Sequence, residues 1–148
     1  MTVKGLEKYG HEALAEVIAR KNMQTMHKVF QSTGTIWELY SPDMYMPATD
    51  ATGIHMVKPN FVGWSGLIPI SMFIENIIGI RTDGSANRIN WRSNSPKRHG
   101  IQNLRFGNIT TTLIREGDTL DIQSNAPYTL EINGIEHDIK EGNNQIQL

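Results

Sequence analysis

The chain has 148 residues, a length that suits one ordinary domain or two small ones. Hydrophobic residues make up 39% of it and charged residues 20%, a globular composition that excludes disorder of the whole chain. The formal net charge of -1 supplies no broad positive field, so nucleic-acid binding is not expected, and the absence of cysteine excludes disulfides and cysteine nucleophiles.

The first helical stretch is predicted over residues 6–32. Gly34 suits the left-handed residue that ends a helix. The 3, 4, 7 spacing of an apolar face is roughly followed by Leu14, Val17, Ile18, Met26, Val29 and Phe30.

Residues 35–60 have no helical period and contain three prolines, so they are predicted to form a long loop. Loops of that length inside a compact domain are usually functional or disordered. The loop is rich in aromatic and methionine side chains, and this composition favours a loop that packs on other parts of the protein.

A second helix is predicted to begin near Ser65 or Gly66, to carry Pro69 in its first turn, and to stop at Gly79. Its apolar run, residues 67–80, is too short to span a bilayer. A helix that is apolar on most sides must be buried on most sides, so we expect further chain, another subunit or a partner to cover it. The N-terminus has no apolar stretch of the secretory kind, which favours a cytoplasmic location.

The second half of the chain reads as short strands, predicted as an antiparallel meander of about five or six. Asn133-Gly134 is the preferred pair for a tight type I′ hairpin turn. The predicted class is therefore α+β, with residues 1–84 helical and residues 85–148 a small antiparallel β domain. One buried face is expected to hold Leu130, Ile132, Ile135, Ile139 and Ile146.

Two motifs could carry chemistry. In the first, Glu38 stands between Trp37 and Tyr40, as in carbohydrate sites, where sugar rings stack on aromatic faces and carboxylates activate water. The second, residues 60–66, places glycines on both sides of Trp64, so that the backbone can approach a ligand closely at a helix start. From local composition alone, the favoured readings of these motifs are an exposed glutamate between core aromatics and an ordinary helix start.

Other kinds of site are not expected. No two of the five histidines have the i, i+4 spacing of a helical metal site, so neither a metal nor another cofactor is predicted. A basic cluster, residues 96–100 with Arg88, Arg92 and Arg105, is read as a solvated turn rather than an anion site.

Taken in order, Trp-Glu-Leu-Tyr-Ser-Pro at 37–42 and Phe-Val-Gly-Trp-Ser at 61–65 resemble the C-terminal end of (α/α)₆-barrel glycoside hydrolases. The similarity is to the trehalase-like group: the family 63 processing α-glucosidases, the mannosylglycerate hydrolases and the trehalases. The stretch from Asn90 to Gly107 also resembles the β tail of such proteins.

The resemblance implies a function for each motif. Glu38 would be the general base of an inverting glycosidase, with Trp37, Tyr40 and Trp64 lining the sugar subsite. Ser65 would start the last inner helix of the barrel and belong to the substrate site. The general acid of the group is an aspartate from an earlier part of the barrel, so the isolated chain is expected to be inactive.

Two hypotheses follow. In the first, the chain is the C-terminal part of such an enzyme, acting on an oligosaccharide or glycoside once the rest of the barrel is present. In the second, it is a non-catalytic carbohydrate-binding or protein-interaction module that self-associates through the 67–80 helix. Neither involves a nucleic acid or a membrane.

Overall fold

A computed structural model of the chain describes residues 2–48 and 61–148, without the side chains of Trp64 and Ser65. Helices come first and strands follow, which confirms the predicted α+β class. The helical elements are α1 (Thr2–Lys8), α2 (Glu12–Thr33), a 3₁₀ turn (Gly63–Gly66), α3 (Leu67–Met72) and a π-helical segment (Phe73–Ile78). The strands are β1 (Ile80–Asp83), β2 (Arg88–Trp91), β3 (His99–Phe106), β4 (Ile109–Glu116), β5 (Thr119–Ser124), β6 (Tyr128–Ile132), β7 (Ile135–Ile139) and β8 (Gly142–Gln147).

These elements form two compact units, Met1–Ile77 and Ile78–Leu148. The first is called the helical unit below and the second the β unit. The helical unit includes the π-helical segment as far as residue 77, and the β unit includes strand β1. The prediction that residues 1–84 form the end of an (α/α)₆ barrel stays a prediction.

A glycine divides the first predicted helix into α1 and α2. Gly10 has φ 78°, and the N–H of His11 donates to the carbonyl of Leu6 at 2.8 Å, which ends α1. The single helix predicted from residue 6 is therefore wrong at this point, because glycine adopts the left-handed conformation without steric cost. The predicted end is confirmed: Gly34 has φ 73° and its N–H donates to the carbonyl of Phe30 at 2.7 Å.

The buried side of α2 matches the predicted face only in part, since Met26 and Val29 are buried as predicted. The buried residues include two alanines, Ala15 and Ala19, which allow a neighbouring backbone to come close. Three large residues of the predicted face, Leu14, Val17 and Phe30, are exposed. The hydropathy pattern favoured the larger side chains, whereas packing selected the stripe that contains the small ones.

Polar residues within the apolar 67–80 run fasten the helical unit together. Asn76 donates to Glu7 of α1 at 2.7 Å, and Lys4 pairs with Glu75 at 3.3 Å. Ser71 donates to the same Glu75 carboxylate at 2.8 Å. The helical segment ends just before Gly79, whose φ is 88°, so the predicted stop at this glycine is confirmed.

The strands of the β unit form two four-stranded sheets, ordered β1-β2-β6-β7 and β3-β4-β5-β8. The pairing of β2 with β6 is parallel, so the strands are not a simple antiparallel meander. The predicted hairpin at Asn133-Gly134 is present, with Ile132 opposite Ile135. Another hairpin joins β4 to β5, with Glu116 opposite Thr119. Alternating hydropathy marks strands, but it does not specify which strand pairs with which.

The core of the β unit is largely aliphatic. Of the residues expected on one buried face, Leu130, Ile132 and Ile139 are buried and Ile146 is half-buried. Ile135 is exposed, at the end of β7 next to the hairpin turn. The buried indole of Trp91 donates its N–H to the carbonyl of Ile78 at 2.8 Å, as a buried polar group requires.

A tyrosine in this core has a shifted pKa. The Tyr128 ring meets Phe106 edge to face, and its hydroxyl lies 3.1 Å from the Thr111 hydroxyl. Burial raises the pKa of Tyr128 to about 12, while the hydrogen bond with Thr111 opposes the rise. The folded β unit therefore favours the neutral phenol.

We predict that this tyrosine makes the fold sensitive to alkali. Its stabilising effect is complete below the ordinary pKa of 10.0 and is lost as the pH rises towards about 12, because the unfolded chain ionises first. The loss amounts to roughly 2–3 kcal/mol of unfolding free energy. Urea titrations between pH 9 and 12 measure it. Tyr128→Phe should lack this component, and Tyr45→Phe, at an exposed tyrosine, should retain it.

Candidate functional site

The segment that follows α2, residues 34–48, carries the first predicted motif. Trp37 is only 5% exposed, and its indole N–H donates to the Thr33 hydroxyl at 2.9 Å. That hydroxyl in turn donates to the carbonyl of Val29 at 2.8 Å. The last turn of α2 therefore supplies the partner that a buried indole needs, and the chain is fixed just before Glu38.

Tyr40 fixes the chain on the other side of Glu38. Its hydroxyl accepts a hydrogen bond from the backbone N–H of Trp37 at 3.0 Å. Burial raises the pKa of Tyr40, and the hydrogen bond from Trp37 opposes the rise. The phenol is therefore neutral at ordinary pH, and its own proton is available to a further acceptor.

The rest of the segment folds back on itself. The N–H of Ala48 donates to the carbonyl of Leu39 at 3.1 Å, and the N–H of Ser41 donates to the carbonyl of Met46 at 3.0 Å. The ammonium of Lys28 on α2 lies 3.8 Å from the centre of the Tyr45 ring, a cation–π contact that attaches this fold-back to the helix.

Glu38 itself is half-buried and lies against a glycine of the second motif. A methyl group added at Gly63 would lie 2.8 Å from Oε1 of Glu38 and 3.0 Å from its Cδ. Contacts that short essentially never occur at a real Cβ, so a side chain at residue 63 would force the carboxylate to shift. The structure thus brings the two sequence motifs together at one point.

The predicted site residues can be placed as follows. Trp37, Glu38 and Tyr40 lie together, while the side chains of Trp64 and Ser65 lie outside the described residues, as do residues 49–60 of the loop. The roles of all five remain predictions. The burial of Trp37 favours a part in holding the motif over direct stacking on a sugar.

Three contributors were not predicted from the sequence. They are the Thr33 hydroxyl, the Lys28–Tyr45 contact and the closeness of Gly63 to the carboxylate. The glycines did indicate close approach, but to a ligand rather than to Glu38. The glycine at 66 instead approaches Val62, whose Cγ2 would lie 2.9 Å from an added methyl group.

The basic cluster of the β unit is dispersed among separate partners. Arg88 pairs with both Glu131 and Glu136, and Arg98 lies 3.6 Å from Glu116. Within residues 2–48 and 61–148, no group of three or more histidines or carboxylates is placed to hold a metal ion. No helix in the described ranges combines the length and apolarity needed to cross a bilayer.

His99, in the same region, belongs to a hydrogen-bonded structural group. Its Nδ1–H donates to the carbonyl of Lys97 at 2.6 Å, and its Nε2 lies 2.8 Å from the buried Ser93 hydroxyl. Arg115 donates to that hydroxyl at 3.0 Å and to the carbonyl of Ser93 at 2.8 Å. The backbone N–H of Ser93 donates to Asn133 at 2.9 Å. These contacts join β3 and β4 to the loop between β2 and β3 and to the turn between β6 and β7.

Comparison with known proteins gives partial similarities. No family model matches the chain. An uncharacterised protein of Borreliella burgdorferi strain B31 is 26% identical over 140 residues, an alignment that covers 88% of this chain and 30% of the relative. The chain thus spans less than a third of that relative's length. A solved structure described as a candidate kojibiose phosphorylase from the human microbiome has a TM-score of 0.41 and 14% identity. The matched region covers 55% of this chain and 12% of the chain in that structure.

We predict that the Tyr40 hydroxyl protects the backbone on which Glu38 sits. Tyr40→Phe removes the hydroxyl that accepts the Trp37 N–H, and losing one partner of a buried hydrogen bond costs about 1–3 kcal/mol. Hydrogen exchange of the Trp37 amide, followed by NMR, should accelerate by tenfold or more. Tyr9→Phe, at a largely exposed tyrosine, is the control and should leave this amide unchanged. Unaltered exchange in Tyr40→Phe would mean that the phenol does not hold this turn.

Proposed function

We propose that the chain is the C-terminal part of an inverting glycoside hydrolase, in which Glu38 is the general base. The observation that carries the proposal is the contact between Glu38 and Gly63. Each residue belongs to one of the two motifs that resemble the trehalase-like group, and the motifs are far apart in sequence. A carboxylate held between two anchored aromatics is suited to accept a proton from a positioned water.

In the proposed reaction Glu38 carries out one of the two proton transfers, the one that activates water. Its carboxylate takes a proton from water as the water oxygen bonds to the anomeric carbon. The bond from that carbon to the glycosidic oxygen breaks, and the leaving oxygen takes a proton from a carboxylic acid. In inverting enzymes the two carboxyl groups stand roughly 6.5–9.5 Å apart to leave room for the water. We assign the acid to the part of the barrel that precedes this chain.

An apolar stripe on the helical unit supports the idea of a larger assembly. Leu67, Ile70 and Phe73 are 73%, 58% and 48% exposed, and their spacing of three places them near one another on one side of the helix. Contiguous exposed apolar surface of this kind marks an interaction site. In the proposed enzyme the remainder of the barrel covers this stripe.

The test is the substitution Glu38→Gln in the polypeptide or complex that contains the remainder of the barrel. The amide cannot accept the proton of water, so turnover of the glycoside should fall by about 10²–10⁴-fold while substrate binding persists. Release of sugar with inversion at the anomeric carbon, followed by NMR, measures both the rate and the stereochemistry.

Glu141→Gln provides the control, because it makes the same chemical change at an exposed glutamate of the β unit. It should retain full turnover. Wild-type turnover in Glu38→Gln would remove the general-base role, and a retained anomeric configuration would remove the inverting mechanism.

A second candidate function is a non-catalytic module that self-associates, and the same apolar stripe favours it. If two copies cover this stripe, sedimentation equilibrium of the isolated chain should show a dimer, and Ile70→Lys should shift it to monomer by burying a charge. Ile135→Lys, at an exposed isoleucine of the β unit, is the matched control and should leave the dimer intact. A monomeric wild-type chain at all concentrations would exclude this candidate.

A further inference from the structure

The contact between Gly63 and Glu38 has a consequence for how the carboxylate is held. Gly63 begins the 3₁₀ turn that leads into α3, and its φ of 52° lies in the left-handed region. An added methyl group would meet Oε1, Cδ and Cγ of Glu38 at 2.8, 3.0 and 3.1 Å. The backbone of residue 63 is therefore one wall of the space that the Glu38 side chain occupies.

The backbone of Glu38 has little freedom to move away from this wall. Its preceding residue is anchored twice, by the indole N–H to Thr33 and by the backbone N–H to Tyr40. Its following residue, Leu39, accepts the hydrogen bond from Ala48. Because the backbone is held on both sides, a side chain at residue 63 would have to displace the carboxylate itself by rotation about its own bonds.

We infer that Gly63 is a positioning residue, which sets the location of the Glu38 carboxylate by offering it a bare backbone. The catalytic meaning of this role rests on the proposed function, whereas the contact itself does not. A general base must lie within hydrogen-bond reach of the water that it activates, and a displacement of about 1 Å can lower a rate by about 100-fold. Glycine at residue 63 is then a requirement of the site as well as of the turn.

The chain offers a matched control for the backbone cost. Gly34 also has a positive φ, 73°, but an added methyl group there would meet nothing within 4 Å. Gly63→Ala and Gly34→Ala therefore both place alanine in the left-handed region, and only the first also displaces Glu38. The difference between the two variants isolates the contact.

The primary measurement is NMR of the full chain, with the chemical shift of the Glu38 Cδ resonance compared between variants. In Gly63→Ala this resonance should move, whereas it should stay at its wild-type position in Gly34→Ala. The melting temperature should also fall further in Gly63→Ala than in Gly34→Ala. Adding Glu38→Ala, which removes Cγ, Cδ and both carboxylate oxygens, should remove that extra loss, because no atom beyond Cβ is left to meet the methyl group.

An unchanged Glu38 resonance in a folded Gly63→Ala chain would overturn the inference, as would an extra loss that Glu38→Ala does not relieve. If Gly63→Ala fails to fold, recovery of folding in the Gly63→Ala, Glu38→Ala double variant supports the inference, and its absence overturns it. In the active assembly, Gly63→Ala should lower kcat by about 100-fold with KM nearly unchanged. Full activity of Glu38→Gln would overturn the proposed function and leave the NMR result on Gly63 standing.

Discussion

The candidate site depends on the burial of one indole ring at the end of α2. Trp37 can be buried there only because Thr33, one turn earlier on the helix, accepts its N–H. Once the ring is fixed, the next residue, Glu38, leaves the helix end in one direction, and Tyr40 holds that direction through the Trp37 backbone. An ordinary packing requirement, the satisfaction of a buried donor, thus places a carboxylate whose proposed task is chemical.

This dependence changes how the aromatic residues of the motif are understood. The sequence alone made Trp37 and Tyr40 equal candidates for stacking on a sugar. In the structure Trp37 is almost fully buried, whereas Tyr40 is half-buried and its phenol is neutral, with a proton to donate. The two residues therefore differ in kind: Trp37 holds the carboxylate in place, and Tyr40 both holds the turn and has polar capacity left for a ligand.

Local signals predicted local structure well. Gly34 ended α2 and Asn133-Gly134 formed its hairpin, because a positive φ at such residues is decided by the residue itself. Non-local features were harder to predict: the parallel pairing of β2 with β6, the exposure of Ile135, and the choice of a stripe containing alanine on α2 all depend on partners elsewhere in the chain. The same limit applies to the site. Sequence indicated Glu38 and Gly63 separately, but only the fold shows that they touch.

The two units differ in how completely each buries its own apolar side chains and pairs its own polar groups. The β unit buries its large aliphatic residues between its own strands, pairs Arg88 with two glutamates and gives the Trp91 indole a carbonyl partner. In the helical unit, polar residues of α1 contact Glu75 and Asn76. Leu67 and the other residues of the apolar stripe nevertheless remain exposed. Full burial of such a side chain provides about 1.5–3 kcal/mol, and each of these partly exposed residues forgoes a share of it. Of the two units, the one that carries Glu38 therefore has more to gain from a covering partner.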